Sequence, residues 1–310
     1  MLCLIFERMS RFIVIIAIFL IHSVIYGQQI VDRIPIDIVE NFVFIKVKVN
    51  NSSESLNFMF DTGAGVTVIN ENHFEKLDLK IHENTQIGTA GKSLNSRTSN
   101  HNRITLGEKI ILDSLSLYLM NLTHLENFLK TKVDGIIGFD LLNERITQTN
   151  IDTYEMLFFS DSNFKYLANA KPIGLVILES NHFGVPIEIF PKGDKKSLSL
   201  IVKIDTGADN YLTFHNNAVK KYDLLKSDKK YKKRIGFSVD STKTTNLKGK
   251  VASATLGSKK WKNVPTIFEI DTVNNSSKRK ADGLIGQELL LDFNICYNLK
   301  ENVIYLENRK

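Results

Sequence analysis

The sequence Asp61-Thr62-Gly63-Ala64 follows an apolar run and recurs downstream as Asp205-Thr206-Gly207-Ala208. Two further segments recur in the same order, namely Thr105-Leu106-Gly107 as Thr255-Leu256-Gly257 and Asp134-Gly135-Ile136-Ile137-Gly138 as Asp282-Gly283-Leu284-Ile285-Gly286. The three offsets are 144, 150 and 148 residues, so the spacing is nearly preserved. Repeats in the same order and spacing indicate that the chain holds two copies of one structural unit.

The segments around these repeats predict a mostly β protein. The predicted strands are Phe42–Asn50, Leu56–Phe60, Leu198–Ile204 and a stretch near Pro186–Phe190. A short apolar run, Val66–Ile69 or Tyr211–Phe214, follows each Asp-Thr-Gly-Ala motif. Short helices are predicted near Asn72–Leu77, Leu122–Lys130 and Asn216–Leu225. We therefore predict an all-β fold with few short helices.

The composition suits two units of ordinary size. The chain has 310 residues, of which 43% are hydrophobic and 24% are charged, and this balance is typical of globular proteins. The junction between the two copies falls near Asn169–Pro172. We predict a first lobe over residues 28–170 and a second lobe over residues 171–310.

The N-terminus has the pattern of a signal peptide. Arg8 and Arg11 precede the unbroken apolar run Phe12–Ile21, and Gly27 offers a small residue for cleavage. The run is shorter than the ~20 residues of a transmembrane helix. We predict a signal peptide over residues 1–27 and a secreted or periplasmic mature chain, with an uncleaved membrane anchor left open as the alternative.

The net positive charge has two possible interpretations. The formal net charge is +6, and much of the excess lies between Lys192 and Lys262. Such a surface can attract polyanions, but lysines also occupy solvated loops and sheet edges, where they discourage aggregation. We predict no nucleic-acid partner, and leave an envelope protein that binds polyanions as an alternative.

Cys296 is alone once Cys3 is removed with the signal peptide, and we predict that it is buried.

Metal and cofactor chemistry has little support in the sequence. The seven histidines are scattered singly, there is no His-Glu-x-x-His pattern, and the cysteines are not paired. No glycine-rich loop with a lysine is present to hold a phosphate. We predict neither a metal nor a cofactor.

The paired motifs suggest acid–base chemistry. Two copies packed about an approximate two-fold axis would bring Asp61 and Asp205 together at that axis. Two carboxylates at close range cannot both ionise cheaply, so they share one proton. The ionised member could activate a water while the protonated member donates to a substrate carbonyl. This pairing of base and acid across one water suits the hydrolysis of a peptide bond.

The residues beside each aspartate have supporting roles. Thr62 and Thr206 can hydrogen-bond across the axis, and the backbone amides near Gly63 and Gly207 can orient the carboxylates. Glycine also permits close approach of the two backbones. Each motif taken singly is more often an ordinary turn or a buried strand, and it is the duplication that favours a site.

These motifs resemble those of the retropepsin and pepsin superfamily of aspartic peptidases, with bacterial retropepsin-like proteins of two fused units nearest. The resemblance covers about residues 30–308. It implies a bilobal acid-protease fold, with two pseudo-symmetric β-barrel-like lobes and the active site between them. It also implies that Asp61 and Asp205 are the catalytic pair and act on a peptide or unfolded protein. Because one chain contains both half-sites, catalysis does not require a dimer, and we predict a monomer with dimerisation left open.

Several positions depart from the pepsin pattern. Ala64 and Ala208 stand where pepsin-type enzymes often carry a hydroxyl, which would stabilise an ionised carboxylate. We therefore predict a mildly acidic to near-neutral optimum. Gly65 stands where the second copy has Asp209, so we predict two substrate subsites that are not equivalent.

The substrate-covering flaps are also expected to differ from those of pepsin. No tyrosine lies between Asp61 and Tyr118, so a pepsin-type flap tyrosine is missing. Gly88-Thr89-Ala90-Gly91 and Gly236-Phe237-Ser238 are the candidate glycine-rich flaps, and plain hairpin turns are an equally good interpretation.

A fold of this kind does not by itself guarantee activity. The alternative to an endopeptidase is a catalytically silent peptide-binding module on the same fold. Both aspartates and both threonines are intact, which favours the enzyme.

Overall fold

The computed structural model describes residues 30–88, 93–161, 164–166, 170–226, 230–237, 243–270 and 280–310. Strands dominate these residues and form two closed six-stranded β-barrels beside a third sheet that both halves share. This confirms the predicted all-β, two-lobed fold. Residues 1–27 lie outside the described residues, and the lobe limits at 28–170 and 171–310 stay predictions.

The strands of the two halves follow one plan. In chain order the first half contains β1 (Ile30–Pro35), β2 (Asp37–Val39), β3 (Phe42–Val49), β4 (Leu56–Phe60), β5 (Thr67–Asn70), β6 (Glu83–Gly88), β7 (Ser93–Leu106), β8 (Ile110–Met120), β9 (Gly135–Ile137), β10 (Ile146–Asn150) and β11 (Glu155–Phe159). The second half contains β12 (Pro172–Gly174), β13 (Val176–Ile177), β14 (Phe183–Phe190), β15 (Leu198–Asp205), β16 (Leu212–Phe214), β17 (Lys232–Phe237), β18 (Lys243–Leu256), β19 (Lys259–Glu269), β20 (Gly283–Gly286), β21 (Phe293–Asn298) and β22 (Val303–Asn308).

The barrels of the two lobes have the same topology. The first sheet has the order β2-β3-β4-β9-β5-β8-β7-β6, and pairing between β3 and β7 closes it. The second has the order β13-β14-β15-β20-β16-β19-β18-β17, and pairing between β14 and β18 closes it. In each lobe the strand before the Asp-Thr-Gly motif runs parallel to the strand of the Asp-Gly repeat. That pairing brings the two repeated motifs of a lobe side by side.

The third sheet joins the lobes in the order β1-β11-β10-β21-β22-β12. Its central pair is antiparallel, with Gln148 opposite Cys296. These two residues are 148 positions apart, which is the offset of the repeated Asp-Gly segments. The pseudo-two-fold axis of the molecule therefore passes through this pair. Cys296 is fully buried there, as predicted.

Helices are few and short among the described residues. They are α1 (Thr123–Leu129), α2 (Phe139–Glu144), α3 (Asn216–Lys221) and α4 (Gln287–Leu290). The helix predicted over Leu122–Lys130 is confirmed, and the one over Asn216–Leu225 is shorter than predicted. The helix predicted near Asn72–Leu77 is wrong, because a 3-10 helix over Glu71–His73 and turns occupy this part of the chain.

Aromatic side chains pack between the shared sheet and the two barrels. Tyr297 of the shared sheet is fully buried, and its ring makes edge contacts with Phe60 at 6.0 Å and Phe183 at 6.2 Å between centroids. Phe60 ends β4, just before Asp61, and Phe183 begins β14 of the second lobe. Edge-to-face pairs of this kind add stability beyond their buried area. The two barrels are thus held against one sheet directly beneath the repeated motifs.

Candidate active site

Each Asp-Thr-Gly loop leaves its barrel beside a glycine of the other motif in the same lobe. The Asp61 N–H donates to the carbonyl oxygen of Ile137 at 2.9 Å, at the point where β4 and β9 end together. A Cβ on Gly138 would overlap the carbonyl oxygen of Asp61, so only glycine fits. Gly286 is packed in the same way against the carbonyl oxygen of Asn210 in the second lobe. The hydrophobic-hydrophobic-glycine segments therefore pack behind the turns.

The two loops are tied together by a crossed pair of threonines. The Thr62 N–H donates to Thr206 Oγ1 at 2.9 Å, and the Thr206 N–H donates to Thr62 Oγ1 at 3.1 Å. Each hydroxyl in turn donates across the axis, Thr62 to Ile204 O at 2.9 Å and Thr206 to Phe60 O at 3.1 Å. Both side chains are almost fully buried. Every polar atom of the two threonine side chains is therefore satisfied, and the loops are fixed relative to each other.

The two carboxylates face each other across this network. A Cβ on Gly63 would come within 2.5 Å of Asp205 Oδ1, and one on Gly207 would overlap the carboxyl group of Asp61. Each carboxylate thus lies over the glycine of the opposite loop. The Gly63 N–H also donates to Asp61 Oδ1 at 2.7 Å. The structure therefore brings together Asp61 and Asp205, the two aspartates predicted for the site.

The surroundings of Asp61 raise the pKa of its carboxyl group. Burial, and secondly the negative charge of Asp205, raise the pKa of Asp61 to about 7, although Lys203 and the N–H groups of Gly63 and Gly207 oppose the rise. Below this pH the group is mainly protonated and can donate a hydrogen bond. One protonated and one ionisable carboxyl group at close range is the arrangement that acid–base hydrolysis requires.

Sequence reasoning missed two polar side chains at this site. Lys203 Nζ lies 2.8 Å from Asp205 Oδ2. His182 Nε2 lies 2.8 Å from the carbonyl oxygen of Gly63, so the second lobe reaches the first Asp-Thr-Gly loop. Burial, and secondly the charge of Lys203, lower the pKa of His182. Lys203 could have been found from its place two residues before Asp205, since alternate residues of a strand share a face.

The candidate flaps lie on hairpins that occupy the same place in the two lobes. Gly88 ends β6, but Thr89, Ala90 and Gly91 lie outside the described residues. Gly236 and Phe237 end β17, and the following residues 238–242 also lie outside them. A role for these residues in covering a substrate therefore stays a prediction.

The second hairpin is linked to the second Asp-Thr-Gly loop by an ion pair. Arg234 of β17 lies 3.5 Å from Asp209, which follows the second Asp-Thr-Gly-Ala motif. At the matching position of the first lobe Gly65 packs against the carbonyl oxygen of Ser180, and a Cβ there would overlap it. Asn181 closes the same contact by donating from Nδ2 to the carbonyl oxygen of Gly65 at 3.0 Å. The surroundings of the two loops therefore differ.

Two pseudo-symmetric barrels with paired Asp-Thr-Gly loops at their junction define the bilobal acid-protease fold. Residues 45–141 match the family model for aspartyl proteases, and this range contains the Asp-Thr-Gly and Asp-Gly motifs of the first copy. The match and the fold together show that the chain resembles the retropepsin-like aspartyl proteases. No curated protein matches the chain.

The described residues contain neither a metal-binding cluster nor a membrane-spanning helix. No group of three or more histidine, cysteine, aspartate or glutamate side chains in the described ranges could hold a metal ion. Within the same ranges, no helix has the length and apolarity needed to cross a membrane.

Proposed function

We propose that the protein is a single-chain aspartic endopeptidase that hydrolyses peptides or unfolded proteins with a water held between Asp61 and Asp205. The observation that carries this proposal is the pair of carboxylates facing each other over the crossed threonines. The ionised carboxylate takes a proton from the water as the oxygen attacks the carbonyl carbon. The protonated carboxyl group donates its proton to the carbonyl oxygen. Since one chain supplies both aspartates, we propose that it acts as a monomer.

The proposed working pH is mildly acidic to near neutral. It is supported by the raised pKa of Asp61, about 7, whose proton must be present for the donation step. Ala64 and Ala208 add to this argument, since neither residue offers a hydroxyl to stabilise an ionised carboxylate. Cleavage should therefore decline above neutral pH, and a maximum near pH 2 would contradict the proposal.

The proposed location is the periplasm or the exterior of the cell, reached with the signal peptide over residues 1–27. The support is the sequence pattern of positive charges, an apolar run and a small residue at Gly27. N-terminal sequencing of the mature protein should find a start near Gln28. Retention of residues 1–27 in the membrane fraction would favour the anchored alternative.

The central test is the digestion of a peptide library and an unfolded protein between pH 3 and pH 8. Wild-type protein should cleave both, and Asp61→Asn and Asp205→Asn should each lower the rate by about 10²–10⁴-fold or more, as expected for a lost acid or base. Asp37→Asn is the matched control, because Asp37 is exposed on the outer strand β2. Peptide binding without cleavage in the wild type would identify a catalytically silent binding module. Cleavage that survives both substitutions would show that residues other than Asp61 and Asp205 catalyse the reaction.

A further inference from the structure

Lys203 is the charged side chain that distinguishes the two catalytic loops. Its ammonium lies 2.8 Å from Asp205 Oδ2, and both side chains are largely withdrawn from solvent, with 21% and 12% of their surfaces exposed. Residues 203 and 205 are two apart on β15, so their side chains lie on one face of the strand. An ion pair shielded from water is stronger than one at the surface, where the median contribution is ~0–1 kcal/mol.

The first lobe has no cation at the equivalent position. In β3 and β4 Phe44 lies opposite Met59, and in β14 and β15 Gly184 lies opposite Lys203. Met59 therefore corresponds to Lys203, and each stands two residues before its aspartate. Met59 is buried in an apolar cluster with its neighbour Phe44. Asp61 thus has an apolar neighbour where Asp205 has an ammonium group.

We propose that Lys203 is a positioning residue that keeps Asp205 ionised, so that Asp205 is the base and Asp61 the acid of the reaction. This assignment rests on the proposed peptidase function. A nearby positive charge favours the ionised form of a carboxyl group. The shared proton therefore resides on Asp61, which has the more apolar surroundings.

The charges around Lys203 are consistent with this assignment. In the described part of the chain, Lys203 acts on Asp205 of its own strand, on Asp61 at the end of β4, and on His182 in the loop before β14. Burial and Lys203 both lower the pKa of His182, so this ring is mainly neutral near neutral pH. The charge that stabilises ionised Asp205 thus comes from Lys203.

The assignment defines each proton transfer. Asp205 accepts a proton from the water while the water oxygen bonds to the carbonyl carbon, and Asp61 gives its proton to the carbonyl oxygen. When the carbon–nitrogen bond breaks, Asp205 returns a proton to the leaving amine. Asp61 recovers its proton from the hydroxyl group as the new carboxyl forms. Both carboxyl groups end in their initial states.

Lys203→Met is the decisive variant, because it places in the second lobe the residue that the first lobe already accommodates as Met59. Without the ammonium, ionised Asp205 requires a higher pH. The acid limb of the pH–rate profile should therefore move up by about one pH unit. This makes cleavage on the acid side about tenfold slower. Lys203→Arg retains the charge and should restore the wild-type profile, and thermal unfolding checks that both variants fold.

A second measurement determines the ionisation of Asp61 and Asp205 directly and does not require catalysis. In wild-type protein with ¹³C-labelled aspartate, assigned with Asp61→Asn and Asp205→Asn, the Asp205 carboxyl should lose its proton at lower pH than Asp61. Ionisation of Asp61 first would overturn the assignment, as would superimposable pH profiles of Lys203→Met and the wild type. Equal losses of rate in Lys203→Met and Lys203→Arg with unshifted profiles would show a merely structural role. If the wild type cleaved no substrate, only the peptidase proposal would be contradicted, because the titration still shows which aspartate ionises first.

Discussion

The two lobes share a backbone plan and differ in the side chains beside their aspartates. Matching backbone positions even have matching left-handed conformations, with φ of 58° at both Gly107 and Gly257, and 55° and 52° at Tyr154 and Asn302. Next to the aspartates, however, the first lobe is apolar at Met59 and the second is cationic at Lys203. The duplicated backbone thus creates the geometry, whereas the diverged side chains decide how charge is distributed over it.

The crossed threonines offer the strongest test of the symmetric part of this comparison. Thr62→Val and Thr206→Val keep the shape of the side chain but leave a buried N–H and a buried C=O of the opposite loop without partners. Each substitution should lower the free energy of unfolding by roughly 2–4 kcal/mol, since each unpaired buried group costs ~1–3 kcal/mol. Denaturant unfolding should give similar losses for both variants. A loss confined to one of them would show that the network is not symmetric in energy.

The sequence was sufficient to predict the repeated parts of the site. The Asp-Thr-Gly motifs are local signals, and duplication alone required that Thr62 and Thr206 meet at a common axis. The strands before the motifs were also visible, because four of the five residues of β4 are apolar and all five are buried. Local pattern and tertiary structure agree at these positions.

The parts that the sequence did not reveal depend on contacts between distant segments. Strand β7 is 14 residues long and mostly polar, and it forms because β6 and β8 pair with it on either side. Lys203 was missed for a different reason. Its place two residues before Asp205 is a local signal, but the folded structure is needed to show that the two side chains form an ion pair withdrawn from solvent.

The carboxylates of the two Asp-Gly motifs provide a second, smaller contrast between the lobes, since Asp134 is buried and Asp282 is partly exposed. Asp134 Oδ1 lies 2.6 Å from His73 Nε2 and 2.9 Å from Lys132 Nζ, and Asp134 Oδ2 accepts the Asn57 N–H at 2.7 Å. Burial tends to raise the pKa of Asp134, but these three partners outweigh it and hold the pKa below its usual value. The described partner of Asp282 is the Ile201 N–H, which donates to Oδ2 at 3.0 Å.

Asp134→Asn should therefore destabilise the protein more than Asp282→Asn. We expect a loss of about 1–3 kcal/mol at neutral pH for Asp134→Asn, because a buried hydrogen-bonded charge is removed. A group whose folded pKa is depressed stabilises the fold above its unfolded pKa of 3.8, and this stabilisation disappears as the pH falls through the folded pKa. Denaturant unfolding measured from pH 7 down to pH 3 should show that the difference in unfolding free energy between the wild type and Asp134→Asn becomes smaller. An equal and pH-independent loss in both variants would contradict this contrast.

The smallest expected effect distinguishes Asp61 from Asp205 by the sign of each residue's contribution to stability. The pKa of Asp61 rises from 3.8 to about 7 on folding, so its ionisation increasingly favours the unfolded chain as the pH increases through this window. Asp61→Asn removes that penalty and should stabilise the protein near pH 8 but not near pH 4. We expect roughly 1 kcal/mol, or ~2–4 °C in the melting temperature, because Asp205 and Lys203 act on the charge of Asp61 with opposite signs. Asp205→Asn removes the partner of Lys203 and should give no such gain. If Asp205→Asn stabilised the protein instead, the cost of ionising a carboxyl group in the folded state would fall on Asp205. The apolar surroundings of Asp61 would then not determine which aspartate holds the shared proton.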